Sequence, residues 1–305
     1  MRDTFIEELT YLAKTDNNIM LLTGDLGFGV FEKFKDLYPN QFLNVGVAEQ
    51  NMTMVASGMA LKGKKVFTYS IANFPTLRCL EQIRNDVCYH DLNVTIVSIG
   101  GGFSYGSLGM SHHATEDLSI MRALPNITCV VPSSLQEVKD ATKALYDKSG
   151  PSYLRLDKSF ATYSDYQGFE IGKAIKIRDG HDITIISTGG ILEEVIEAAK
   201  LLEKNSISAR ILNMHTIKPL DIESIQQACI ETSGILTVEE NSILGGLGGA
   251  VAEACLESEW RPSFFSRIGM QDEYSSVVGD QHYLRNYYGL DRLSIMERVK
   301  YLLSK

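Results

Sequence analysis

Glu49 stands where the short apolar run Phe42-Leu43-Asn44-Val45-Gly46-Val47 gives way to a stretch with Met52, Val55, Ala56, Met59 and Ala60 on one side. The first reads as a buried strand and the second as a buried helix. In open α/β sheets, ligands meet the chain at such strand ends. A carboxyl group walled there by Val45, Val47 and Met52 is expected to be partly desolvated with a raised pKa, able to share a proton with a bound ring nitrogen. The alternative is a carboxylate that complements the N-terminus of its helix. Phe74 offers a flat apolar face that fixes the tilt of a bound ring, or else it packs in the core. His112 and His113 are adjacent, but neighbouring side chains converge poorly and no third ligand has suitable spacing, so no metal is assigned to this chain.

The surrounding pattern supplies elements to hold these residues. Residues 2–14 read as a helix, with Phe5, Ile6, Leu9 and Leu12 at helical spacing. Strands are predicted at 19–23, 66–69, 94–99, 128–131 and 152–156, and helices at 77–87, 116–124 and 135–146. The turn Gly24-Asp25-Leu26-Gly27-Phe28-Gly29 lacks the Gly-Lys-Ser/Thr of a phosphate loop. Such alternation predicts a parallel sheet covered by helices on both faces. A polar linker is placed at 161–172. Beyond it, strands at 182–187, 208–213 and 234–238 alternate with helices at 192–204, 222–232 and 250–256. The fold class is therefore α/β, as two consecutive open-sheet domains spanning 1–160 and 173–305.

Length and composition agree with this division. A chain of 305 residues has room for two domains, and 44% hydrophobic with 22% charged residues suits a globular protein. A net charge of −9 argues against nucleic acid or an anionic membrane as partner. The five cysteines are odd in number, scattered through apolar segments and without a CxxC pair, which reads as reduced thiols of a cytoplasmic protein. No apolar run is long enough to span a membrane.

The segment Gly46-Val-Ala-Glu49-Gln-Asn-Met52 resembles that of transketolases and 1-deoxyxylulose-5-phosphate synthases, whose glutamate faces the aminopyrimidine of thiamine diphosphate. The resemblance implies that Glu49 protonates ring nitrogen N1′ and so promotes proton loss from thiazolium C2. It implies that Phe74 stacks on the aminopyrimidine, and that Asp25 and Leu26 lie close to the cofactor. Arg78 and Arg84 then have two readings, ligand contacts or structural salt bridges. Ser111-His112-His113, with Met121-Arg122 and Pro125-Asn126 beyond it, is similar to a segment of split transketolases whose histidine binds the substrate. His112 takes that histidine's place and His113 replaces a glutamine. Arg155 or Lys158, near the end of the first domain, is implied to bind a substrate phosphate; Lys158 also reads as a solvated surface charge. The run Val238-Glu239-Glu240-Asn241 through Gly249 resembles the transketolase C-terminal domain, which implies architecture and dimer contact. No chemistry is assigned to its glutamates, to His215 or to His282.

Two departures from the family matter. Ordinary transketolases carry a histidine and a Gly-Glu-Asp-Gly segment ahead of the His112 position, both contacting donor hydroxyls. Here the equivalents are Gly100, in Gly100-Gly101-Gly102, and Gly106-Ser107-Leu108-Gly109. This implies a non-standard sugar substrate. The family's diphosphate-binding Gly-Asp-Gly…Asn-Asn signature is also absent from the sequence. The resemblance thus implies a pyrimidine-binding subunit of a split, transketolase-like enzyme moving a two-carbon ketol or acyl unit. Its partner would be an N-terminal-half subunit that holds the diphosphate and Mg²⁺, in an α₂β₂ assembly. The alternatives are the β subunit of a 2-oxo-acid dehydrogenase complex and, in another class, a non-catalytic scaffold relative.

Overall fold

In this computed structural model every residue is described except Phe28 and Asp165. Phe28 belongs to the glycine-bearing turn and Asp165 to the linker, so those two positions of the predicted turn and linker lie outside the described residues. The first domain contributes β1 (Ile19–Thr23), β2 (Phe42–Asn44), β3 (Lys65–Ile71), β4 (Val94–Ile99), β5 (Thr128–Val130) and β6 (Ser152–Leu156). These pair in parallel in the order β5-β6-β4-β3-β1-β2. β1, β4 and β6 are buried along their whole length. Strands of a parallel sheet are covered on both faces, which suits the apolar run of β1; β4 and β6 bury Thr95, Ser98, Ser152 and Arg155 along with their apolar residues.

The second domain contributes β7 (Ile175–Arg178), β8 (Ile183–Ser187), β9 (Ala209–Asn213), β10 (Thr216–Lys218), β11 (Gly234–Ser242) and β12 (Phe264–Met270). Its sheet runs β12-β11-β8-β9-β7, with β7 antiparallel at one edge. β10 leaves it and pairs antiparallel with β5, extending the first domain's sheet to seven strands. The two domains therefore share a sheet edge as well as a packed interface.

Sequence periodicity did not mark β7, β10 or β12, nor the helices Glu32–Leu37, Gln281–Tyr287 and Arg292–Leu303. The helix expected at 250–256 starts earlier, at Leu247, and takes Gly248 and Gly249 into its first turn. Close packing explains Gly246 and Gly248, though not Gly249: a Cβ on Gly246 would lie 2.1 Å from Glu239 Oε2, and one on Gly248 would lie 2.6 Å from Thr237 Oγ1. Glu239, fully buried, accepts the N–H groups of Leu247 (2.7 Å) and Gly248 (2.8 Å) at the helix start. Among the described residues no helix is long and apolar enough to cross a membrane.

Candidate active site

The loops after β1, β2, β3 and β4 gather at one end of the first sheet, the strand ends where α/β folds bind ligands. After β2, Gly46 adopts φ +74°, open to glycine at no steric cost, and three residues later the helix Glu49–Leu61 begins. Glu49 is thereby turned inward, 2% exposed. The turn after β1 lies against it: a Cβ on Gly24 would sit 3.4 Å from Glu49 Cγ. Asp25, at φ +56°, is held by Asn44, whose Nδ2 donates to Asp25 Oδ1 (3.0 Å) and whose Oδ1 accepts Asp25 N–H (3.0 Å). The Leu26 carbonyl accepts the Thr23 hydroxyl at 3.2 Å.

Of the three walls expected around Glu49, Met52 is buried and Val45 half-buried, but Val47 is 75% exposed and turned away. A cation was not anticipated at this wall. Arg78 Nη1 donates to Glu49 Oε2 at 2.7 Å, and the same guanidinium carbon lies 4.4 Å from the centroid of the Phe74 ring. The Arg78 carbonyl accepts from Gln50 Nε2 at 3.0 Å, which ties the two helical segments together. Arg78 is thus an ion-pair partner of the candidate catalytic residue. Phe74 is half-buried and meets the His112 ring edge-on at 5.3 Å between centroids. Ser111 Oγ lies 3.0 Å from His112 Nδ1, and Asn73 Nδ2 donates to the Ser111 carbonyl at 3.3 Å. Glu49, Arg78, Phe74 and His112 therefore form one continuous cluster, reaching from a buried carboxylate to a half-buried imidazole.

Two expected substrate contacts fall elsewhere. His113, 3% exposed, points inward, with Nε2 3.1 Å from the Gly106 carbonyl and its ring edge-on to Phe103 at 5.2 Å. Adjacent side chains leave opposite sides of the backbone here, so only His112 faces the cluster. Arg155, 2% exposed, pairs with Asp117 Oδ2 (3.2 Å) and donates to the carbonyls of Ala114 (3.1 Å) and Glu240 (2.9 Å). Its place is the domain interface, where it cannot reach a phosphate in solvent. Lys158 is exposed, and its ammonium lies over the Tyr105 ring at 3.7 Å. Of His215 and His282, neither assigned any chemistry, the first is fully buried against Phe169 at 4.1 Å, where burial pushes its pKa down to about 4, and the second is exposed.

The glycine run has a steric cause. A Cβ on Gly100 would fall 2.1 Å from the Tyr105 ring, one on Gly101 2.0 Å from Arg155 Nε, and one on Gly102 2.4 Å from Glu240 Oε1. Gly106 is equally confined, 2.4 Å from Leu284.

The cluster fits an aminopyrimidine in the chemistry of its groups. A carboxyl group for a ring nitrogen lies beside an aromatic face, and the flat, nitrogen-bearing guanidinium of Arg78 already fills the space between them. Among the described residues no three His, Cys, Asp or Glu side chains converge on a metal position.

Comparison with known proteins agrees with this geometry. The transketolase pyrimidine-binding domain family matches residues 1–162, and the transketolase C-terminal domain family matches residues 172–295. The chain is 36% identical to an apulose-4-phosphate transketolase subunit of Phocaeicola vulgatus over 309 residues, covering 100% of this chain and 97% of that protein. It is also 36% identical, over 299 residues, to a 6-deoxy-6-sulfo-D-fructose transketolase subunit of a Clostridium species, covering 97% and 92% of the two chains. A solved split-gene transketolase, described as an inactive β4 tetramer, superposes with a TM-score of 0.91 at 33% identity over 99% of this chain and 98% of that one. The chain belongs to the transketolase family, as a transketolase-like subunit of a split enzyme. Membership of that family implies dependence on thiamine diphosphate.

Proposed function

We propose that this subunit supplies the pyrimidine half of a thiamine diphosphate site, completed by a partner subunit that holds the diphosphate and Mg²⁺ in an α₂β₂ enzyme. The observation that carries the reading is the buried Glu49 carboxylate beside the half-buried Phe74 face, with His112 at its edge. When bound, thiamine diphosphate supplies a nucleophilic carbon and an electron sink for the transferred ketol unit. Glu49 holds the proton at the pyrimidine ring nitrogen, and the apolar face of Phe74 fixes the tilt of that ring. Asp25 and Leu26, on the turn that touches Glu49 through Gly24, border the same seat. For the seat to load, Arg78 must move off the Phe74 face, since its guanidinium takes both contacts the pyrimidine needs. His112 then meets the substrate, and Lys158, with its charge exposed at the end of β6, is the basic residue left to attract a phosphate. The domain division at residues 160 and 173 belongs to the same reading. Simultaneous presence of Glu49, Phe74 and His112 favours a catalytic subunit over a scaffold.

The substrate is proposed to be a sugar or sugar phosphate other than the usual transketolase pair. Support comes from the uncharged 100–109 loop and from relatives named for apulose 4-phosphate and 6-deoxy-6-sulfo-D-fructose. Reconstitution with the partner tests both points. The chain alone is expected to be inactive and to show no tight thiamine diphosphate binding by calorimetry with Mg²⁺, because the described residues offer no cluster for the metal. The complex is expected to turn over xylulose 5-phosphate with ribose 5-phosphate poorly. Turnover by the chain alone overturns the split site; robust kinetics with that standard pair overturns the changed substrate.

A further inference from the structure

The loop that carries His112 is gripped by the second domain. Gly102 and Ala114 pair across its neck, with N–H···O distances of 2.8 and 2.9 Å in the two directions. Immediately inside the neck, the Phe103 N–H donates to Glu240 Oε1 at 2.5 Å. Glu240, 3% exposed on β11, also accepts from Gln281 Nε2 (2.8 Å) and pairs through Oε2 with Arg285 Nε. The Phe103 side chain is fully buried in the second domain's own core, beside Leu284 and stacked on Tyr288 with centroids 5.4 Å apart. On the other side of the neck, Arg155 Nη2 bridges the carbonyls of Ala114 and Glu240.

We propose that Glu240 is a positioning residue of the active site: from the second domain it fixes the neck of the 102–114 loop and so sets where His112 stands against Phe74. This rests on the reading of His112 as a substrate contact. The physical argument is one of leverage. His112 lies two residues from the neck, in a loop made of two short turns, Gly106–Leu108 and Met110–His112, tied by their own backbone hydrogen bonds, so the loop moves as a unit with its neck. A buried carboxylate held by two charged or polar side chains is a rigid anchor. Placing that anchor in the second domain makes the geometry of the site depend on how the two domains are docked. A displacement of His112 by about 1 Å is enough to cost rate on the order of 100-fold in well-positioned sites.

Glu240→Ala and Gly102→Ala test this in the assembled complex with its partner. The second variant keeps the Glu240 side chain but drives a methyl group into its carboxylate, displacing the same anchor without deleting it, so the clamp is still tested if the first variant fails to fold. Amide hydrogen exchange is followed over peptides spanning 102–114 and 49–61, beside kcat, KM and thiamine diphosphate affinity. Expected are exchange at least about 10-fold faster in 102–114 with 49–61 unchanged, and kcat/KM for the sugar down about 10-fold or more with cofactor affinity held within about twofold. Unchanged exchange at 102–114, or exchange rising equally across the second domain, overturns the clamp. Faster exchange with unaltered kcat/KM overturns the positioning role. If the wild-type complex has no transketolase activity, the functional reading fails, while the exchange data still decide the clamp.

Discussion

Glu49→Gln separates the chemistry of the site from its architecture. The amide is isosteric with the carboxylate and still accepts the Arg78 Nη1 hydrogen bond now made at 2.7 Å. It removes a charge that is 2% exposed, while the Arg78 side chain left without a counter-ion is 44% exposed and keeps its hydration. The lost attraction and the relieved desolvation oppose one another, so the expected change in folding stability is no more than about 1 kcal/mol. For a domain of this size that is a shift in Tm of about 2–4 °C. The catalytic effect is of another order. A glutamine cannot share a proton with the pyrimidine nitrogen, and general acid–base contributions of this kind are worth about 10²–10⁴ in rate. In activation free energy that is about 3–5 kcal/mol.

The assay is steady-state turnover of the reconstituted complex at saturating cofactor, with thermal unfolding of the same preparation alongside. Turnover within about threefold of wild type would refute the role of Glu49, because no proton relay of that worth could then run through it. A Tm loss of tens of degrees would refute the architectural half of the argument. It would mean that the Arg78 pair holds up the helix Glu49–Leu61, rather than lying beside it.

Two further outcomes follow from the geometry. His112→Ala is expected to lower kcat/KM for the sugar while thiamine diphosphate affinity stays within about twofold; loss of cofactor binding with intact single-turnover chemistry would give His112 a different role. Burial pushes the Glu239 carboxyl up from 4.5 to about 7, above its unfolded value, so the folded state holds a proton that the unfolded chain has released across that interval. The contribution is fully present below pH 4.5 and is lost as pH rises through 7, by about 3 kcal/mol. Denaturant melts at about pH 5 and about pH 7.5 should show a smaller drop in Glu239→Gln than in wild type; equal drops would refute the assignment.

Which parts of this were legible in the sequence follows from how far apart the interacting residues lie. β1, β4 and β6 announce themselves because burial on both faces favours a mainly apolar run, even though β4 and β6 also bury Thr95, Ser98, Ser152 and Arg155. The edge strands β7, β10 and β12 are partly exposed and carry no such run. The Glu49 unit was readable as a strand end feeding a helix, but its counter-ion lies 29 residues away, and nothing in local spacing distinguishes Arg78 as an ion pair from Arg78 as a ligand. The Phe103–Glu240 contact joins residues 137 apart. Local signals did exist for Arg155 and His113, a lone cation in an apolar strand and a histidine beside a catalytic candidate. Both pointed to the substrate, and in both the structure turns the side chain into the interior instead.

The glycines of the substrate loop show how packing and recognition become one question. Read from sequence, Gly100 stands where a histidine is lost and Gly106-Ser107-Leu108-Gly109 where an acidic pair is lost. In the structure a side chain at Gly100, Gly101 or Gly102 would collide with Tyr105, Arg155 or Glu240, so a histidine cannot be restored at Gly100 on this backbone. Gly106 is likewise closed by Leu284, whereas Gly109 has room, its nearest neighbour being Val278 at 3.4 Å, and a positive φ of +79°. The loop packs onto the second domain through Phe103 and Glu240 and carries no charge. On this backbone Gly100, Gly101, Gly102 and Gly106 leave no room for a side chain. On the reading proposed above, a non-standard substrate would be a matter of the shape of the loop, set by Phe103 in its slot and Glu240 at the neck, as much as of missing hydrogen bonds.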